Sequence, residues 1–155
     1  MPKNDRNIYE VALQDWLFAH QVRFGVDQLD KNNKKLAVVS IWNEDDVIFV
    51  EKLYSKQVKN SDGLFSDQHY DRFEGKEYPI TLLVPYNLSG NHFELALIKL
   101  SSRNQAESVK IYNHLNADYT QLRTIILNNL GITLPETATK LFKCDDIETV
   151  TPSTI

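Results

Sequence analysis

The fold is decided by residues 79–112 of the chain, PITLLVPYNLSGNHFELALIKLSSRNQAESVKIY. The apolar run at 79–84 is too short for a helix and predicts a strand that Pro85 closes. Alternating side chains at 92–100 and the short segment Ser108-Val-Lys-Ile-Tyr112 predict two more strands. Because short polar turns separate the three strands, we expect neighbours in sequence to pair as antiparallel hairpins.

The residues before this stretch predict helices followed by a strand. Residues 9–29 contain no proline, and their apolar side chains recur at roughly helical spacing, namely Leu13, Trp16, Leu17, Val22, Val26 and Leu29. Residues 36–42 predict a buried strand, while residues 43–60 fit either a strand or a short helix. Residues 61–77 combine glycines with many acidic side chains, so we expect a long surface loop there.

The residues after this stretch predict a helix and one more strand. Asn116 is a candidate N-cap, and Gly131 stands where a left-handed residue ends a helix. The apolar side chains between them fall on one helical face, namely Leu122, Ile125, Ile126 and Leu130. Residues 139–144 predict a further strand. The sequence therefore predicts an α+β fold with a mostly antiparallel central sheet flanked by helices.

Composition and charge are those of a soluble globular protein. The 155 residues are 42% hydrophobic and 25% charged, and 17 basic against 21 acidic side chains give a net charge of −4. The chain has no Lys/Arg cluster, which argues against nucleic-acid binding, and its apolar runs are too short to cross a membrane. We expect a single domain over residues 1–155, with flexible ends at 1–7 and 148–155.

Cysteine usage and the amino terminus predict the redox environment. Cys144 is the sole cysteine, so neither an internal disulfide nor a Cys-rich zinc site can form. We expect no cofactor and no resident metal ion. The polar amino terminus predicts no secretory signal, which favours a cytoplasmic protein.

Two polar residues stand where consecutive predicted strands begin and end. His92 opens the strand at 92–100, and Asn113 closes the strand at 108–112. In an antiparallel hairpin these positions would be neighbours at one rim of the sheet. A histidine beside a side-chain acceptor is the base and orienting partner of a nucleophilic triad. The same residues are also ordinary turn and capping residues, so both interpretations stay open.

In its sequence context this pair resembles the clan CE cysteine proteases, the group of SUMO proteases and deubiquitinases to which the YopJ-type acetyltransferases are related. The family has a helical Trp-Leu, a strand ending in Pro-x-Asn, a His-Trp strand start, and a Tyr-Asp-Ser-Leu-like strand end before a helix. The resemblance covers roughly residues 10–130. The corresponding blocks are Asp15-Trp16-Leu17, Leu82-Leu-Val-Pro-Tyr-Asn87, Gly90-Asn-His-Phe-Glu-Leu-Ala-Leu-Ile98, Val109-Lys-Ile-Tyr-Asn-His-Leu115 and the helix at 118–130.

The resemblance implies an adenain-like fold and thiol hydrolysis of the bond after the Gly-Gly tail of ubiquitin or a ubiquitin-like protein. His92 would be the base, Asn113 the orienting residue and Cys144 the nucleophile. Asn113 replaces the family's usual Asp, and Cys144 lacks the following Gly and the preceding Gln. The two carboxylates after Cys144 would also raise the pKa of its thiol. We therefore expect a modifier-binding domain with weak or no catalysis, degenerate or continued beyond Ile155.

Two other functions are compatible with the sequence. The first is a non-catalytic protein-interaction or effector module that binds a partner through the acidic-aromatic loop at 61–77, with Phe65, Tyr70 and Phe73 as the binding residues. A secreted effector of this kind would act in the host cytoplasm. The second is a relative of the YopJ-type acyltransferases, which would use the same Cys144 thiol.

Overall fold

The computed structural model describes residues 33–88, 92–114 and 119–143. More than half of these residues lie in strands, and the same ranges contain one helix. No helix within them is long and apolar enough to cross a membrane. The elements are β1 (Leu36–Val38), β2 (Ser40–Glu44), β3 (Val47–Glu51), β4 (Leu53–Lys59), β5 (Phe65–Asp71), β6 (Ile80–Asn87), β7 (Glu94–Ser102), β8 (Gln105–His114), α1 (Tyr119–Leu130) and β9 (Lys140–Lys143).

Seven strands form one mixed sheet. Six of them follow the order β3-β2-β6-β7-β8-β9, and the seventh, β1, pairs with the first half of β6, before the part of β6 that pairs with β2. At the centre, β6, β7 and β8 pair antiparallel in sequence order, as predicted, with Leu82 opposite Ile98 and Ile98 opposite Val109. The outer strands run differently, since β1 and β2 are parallel to β6 and β9 is parallel to β8. One end of the sheet therefore collects the start of β7 and the ends of β8 and β9.

Pro85 lies inside β6 and does not close it, which corrects the sequence prediction. The backbone of Leu83 faces β1, because its carbonyl accepts the N–H of Val39 at 2.9 Å. Backbone groups of every second residue in a strand face the same neighbour, so the nitrogen of Pro85 faces that side too. Pairing passes from β1 to β2 at this point. The missing N–H therefore leaves the ladder with β7 intact.

Helix α1 packs on one face of the sheet and closes the core. Its buried side chains come from the predicted apolar stripe, Leu122, Ile126 and Leu130. The helix ends as predicted at Gly131, whose φ is +67° and whose N–H donates to the Leu127 carbonyl at 3.0 Å. Arg103, in the β7–β8 turn, donates from Nη1 to the Leu130 carbonyl at 2.9 Å. A cation thus meets the negative end of the helix dipole.

The predicted fold class is wrong. The described structure is mostly β with a mixed sheet and one helix, rather than an α+β, adenain-like fold whose antiparallel sheet is flanked by helices. The main reason is the segment at 43–77, predicted as ambiguous chain and loop, which forms β3, β4 and β5. The helices predicted at 9–29, the Asp15-Trp16-Leu17 block and Asn116 lie outside the described residues.

Candidate functional site

Strands β4 and β5, with the turn between them, form a two-stranded arm separate from the main sheet. They pair antiparallel without a register shift, from Leu53 opposite Asp71 to Lys59 opposite Phe65. Most side chains on both faces of the arm are exposed. A two-stranded hairpin is marginally stable by itself in water, so the arm depends on its turn and its attachment to the body. The loop predicted at 61–77 is thus largely the second half of this hairpin.

The turn at the end of the arm is held by Asn60. Its Oδ1 accepts the backbone N–H groups of Asp62 at 3.0 Å and Leu64 at 2.9 Å. Its carbonyl accepts the N–H of Gly63 at 3.1 Å. Gly63 has a φ of +80°, a conformation that strains other residues. The turn conformation is therefore fixed in the free protein.

Two apolar side chains project from this turn, and we call Leu64 and Phe65 the tip. They are 65% and 64% exposed, more than any other large apolar side chain of the described residues. The Lys59 ammonium lies 5.7 Å from the centroid of the Phe65 ring, within range of a cation–π contact. The tip therefore exposes adjacent apolar side chains on a fixed turn.

The base of the arm is fixed to the body by buried side chains. The N–H of Arg72 donates to the Lys52 carbonyl at 3.0 Å. The Arg72 side chain is 2% exposed, and its guanidinium carbon lies 5.9 Å from the centroid of the Tyr54 ring. Phe73 is 6% exposed beneath the guanidinium of Arg103, which lies 4.0 Å from the ring centroid. The arm is therefore continuous with the core.

The three predicted partner-binding residues have different surroundings. Phe65 is at the tip, and Tyr70 stacks on Tyr54 within the arm, with ring centroids 5.5 Å apart. Phe73 belongs to the main core, where no partner can contact it without unfolding. Leu64 was not among the predicted residues, although its position between Gly63 and Phe65 in a turn could have indicated it.

Two of the three predicted catalytic positions, His92 and Asn113, fall at the rim, the sheet end formed by the start of β7 and the ends of β8 and β9. The β7–β8 register brings His92 and Asn113 to this end. β9 reaches the same end, because Lys143 pairs with His114 of β8. Cys144 follows Lys143 in the sequence and lies outside the described residues. The topology therefore brings the backbones of His92, Asn113 and Lys143 to the same end of the sheet.

A buried polar pair lies beside this rim. Tyr86 of β6 and Glu94 of β7 are opposite each other, and both side chains are buried. Burial, the Glu94 carboxylate and a hydrogen bond to that carboxylate all raise the pKa of Tyr86. The tyrosine hydroxyl therefore stays protonated and donates to Glu94.

The chemistry of the site must be inferred from its geometry. Within residues 33–88, 92–114 and 119–143, no group of three or more His, Cys, Asp or Glu side chains could hold a metal ion. Comparison of the chain with protein-family models, curated protein sequences and solved structures finds no match.

Proposed function

We propose that this protein is a non-catalytic protein-interaction module that presents the arm to a partner protein. The observation that carries the proposal is the tip, where Leu64 and Phe65 are each about two-thirds exposed on a fixed turn. Large apolar side chains held apart from the core contribute nothing to folding, whereas they dominate binding when a partner buries them.

The construction of the arm also favours binding. A turn that Asn60 already holds and a base that Arg72 fixes lose little conformational freedom when a partner docks. The arm carries both signs of charge, with Lys56 and Lys59 on β4 and Asp67 and Asp71 on β5. Mixed charge around apolar anchors is typical of protein interfaces and untypical of phosphate-backbone binding.

The test places a photo-reactive benzoylphenylalanine at residue 64 of the full chain, in a lysate of the source organism. We expect discrete protein adducts, and the change Phe65→Ser should reduce them at least about tenfold, as expected of a hot spot. The matched control carries the same cross-linker at Leu127, which is 49% exposed on α1. The same adducts from residues 64 and 127, or none from residue 64, would contradict the proposal.

A second candidate function is binding of ubiquitin or a ubiquitin-like protein, with thiol hydrolysis at the rim. It is supported by the topology, which brings His92, Asn113 and Lys143 to one end of adjacent strands. In this hypothesis Asn113 orients His92, which takes the thiol proton while Cys144 attacks the carbonyl carbon. The bond to the amine breaks, the amine leaves with the proton that His92 returns, and water then hydrolyses the thioester to release the modifier and the free thiol.

Its test uses a ubiquitin probe with a carboxyl-terminal electrophile on the full chain. We expect His92→Ala to slow labelling about 100-fold or more, because the base is lost. His69→Ala, a histidine change on the arm, serves as the control and should label normally. Equal labelling of the parent and His92→Ala chains would show that the role given to His92 is wrong. A parent chain that is never labelled would remove the hydrolase hypothesis.

A further inference from the structure

The outer edge of β5 has a defined set of outward-facing backbone groups. Across the arm, the Asn60 N–H donates to the Leu64 carbonyl at 2.8 Å and the Arg72 N–H to the Lys52 carbonyl at 3.0 Å. In this register, even-numbered residues bond across the hairpin, and the backbone groups of odd-numbered residues point away from it. On β5 the outward-facing residues are Phe65, Asp67, His69 and Asp71.

This edge lacks several features that usually prevent strands from pairing between molecules, although it carries the carboxylates of Asp67 and Asp71. β5 is seven residues long, pairs with β4 without a bulge, and contains no proline, lysine or arginine. β4 carries Lys56 and Lys59, and an edge lysine is a common protection against pairing. Among the described residues, no strand pairs with the outer edge of β5, and this edge is less protected than that of β4.

We propose that two copies of this chain pair through their β5 strands, antiparallel, about a twofold axis at Gln68. In this register Asp67 lies opposite His69 of the second copy, and Phe65 lies opposite Asp71 of the second copy. Asp67 and His69 then exchange backbone hydrogen bonds across the axis, and the Asp71 N–H donates to the Phe65 carbonyl of the second copy, whereas the Asp71 carbonyl already accepts the Glu74 N–H at 3.1 Å. The two arms become one four-stranded sheet.

The charges of the side chains that would face each other favour this register over the two adjacent ones. A twofold axis at Asp67 would place that carboxylate opposite its own copy, and an axis at His69 would place Asp67 opposite Asp71. The axis at Gln68 avoids both repulsions. Ser55 Oγ contacts Nδ1 of His69 at 3.1 Å, which leaves Nε2 to face the Asp67 carboxylate of the second copy. Pairing through β4 about its centre would instead place Lys56 opposite Lys56.

The inference rests on the proposed function, because it treats the arm as an interaction element and names a second copy as one partner. It uses the backbone edge of β5, however, whereas the proposed function uses the exposed side chains of Leu64 and Phe65. The two can therefore be tested separately.

Sedimentation of the full chain over a concentration series gives the first test. We expect a monomer–dimer equilibrium whose dissociation constant rises at least about tenfold in Asp67→Pro, because the dimer loses two backbone hydrogen bonds. The matched control is Gln57→Pro, the residue opposite Asp67 on β4, which blocks the other edge. This control should change the dissociation constant less than about twofold.

Disulfide trapping tests the register without a proline. In a Cys144→Ser background, Gln68→Cys places two thiols across the twofold axis in a non-hydrogen-bonded pair, within disulfide range. Mild oxidation should then give a covalent dimer. Lys56→Cys, opposite Gln68 on β4, should stay monomeric under the same oxidant, because the two β4 strands lie at the outer edges of the sheet.

A chain that is monomeric at every concentration, or equal trapping at residues 56 and 68, would overturn the pairing. If residue 64 still cross-links other proteins in that case, the proposed function stands and only the second-copy partner is excluded. If dimers form and the cross-linker at residue 64 gives no adduct with another protein, the pairing stands and the tip proposal fails.

Discussion

Phe73→Ala is expected to lower the free energy of unfolding by about 3–5 kcal/mol, whereas Phe65→Ala is expected to change it by less than about 0.5 kcal/mol. Both substitutions remove the same phenyl ring from residues eight positions apart in the sequence. The difference arises from burial, since Phe73 is 6% exposed and Phe65 is 64% exposed.

The cost at Phe73 has two sources. Removing its ring leaves a cavity in the main core, the same cluster to which the buried side chains of α1 belong. The change also removes the face on which the Arg103 guanidinium rests at 4.0 Å. Arg103 also donates from Nη1 to the carbonyl of Leu130, the last residue of α1. The loss should therefore loosen the helix end together with the base of the arm.

Urea denaturation of the two variants measures this difference directly. Phe65→Ala is the matched control, since it deletes the same group from the arm. Binding should respond in the opposite way, with the loss of partner adducts confined to Phe65→Ala when both variants are folded. Equal losses of stability in the two variants would contradict the placement of Phe73 in the core.

The central hairpins were predictable because their sequences carry the expected periods. β7 buries every second side chain from Glu94 to Leu100, and α1 has a four-residue stripe followed by Gly131. The arm was not predictable in this way. β4 reads LYSKQVK and β5 reads FSDQHYD, and neither buries a face, so no apolar alternation marks them as strands. β4 and β5 are held by their pairing with each other, and the sequence of either strand alone does not reveal that pairing.

The β2–β3 hairpin was missed for a different reason. Its two-residue turn is Asp45-Asp46, and both residues have positive φ, at 51° and 62°. Such turns are usually marked by Asn-Gly or Asp-Gly, because glycine accepts this conformation without strain. An Asp-Asp pair adopts it less readily and gives a weaker sequence signal.

The sequence was enough to predict the β7 and β8 side of the rim, but not the position of β9. Antiparallel pairing of successive strands was enough to predict that His92 and Asn113 share one end of the sheet. The direction of β9 could not be predicted, because it depends on the end of the sheet at which the chain returns after α1. The structure shows that β9 runs parallel to β8, so the residue before Cys144 reaches the same end.

Raising the pH from 10 to 12 is expected to lower the free energy of unfolding by about 2 kcal/mol through Tyr86 alone. Burial first, and then the Glu94 carboxylate, raise the pKa of Tyr86 above the value of 10.0 that it has when unfolded. Well below pH 10 the hydroxyl is protonated in both states, and the stabilisation is complete. Above pH 10 the unfolded chain releases this proton and the folded chain keeps it. Stability therefore falls as the pH rises toward the folded pKa.

Tyr78 and Tyr119 add to the same alkaline slope, since burial raises both of their pKa values. Tyr86→Phe should remove about 1.4 kcal/mol per pH unit from the slope above pH 10, and it should cost about 1–3 kcal/mol at pH 7 because Glu94 loses a donor. Ile98→Val, a deletion in the same core, should lower stability equally at every pH. Urea titrations at pH 7, 10, 11 and 12 distinguish these outcomes. An unchanged slope in Tyr86→Phe would mean that Tyr86 does not carry a protected proton.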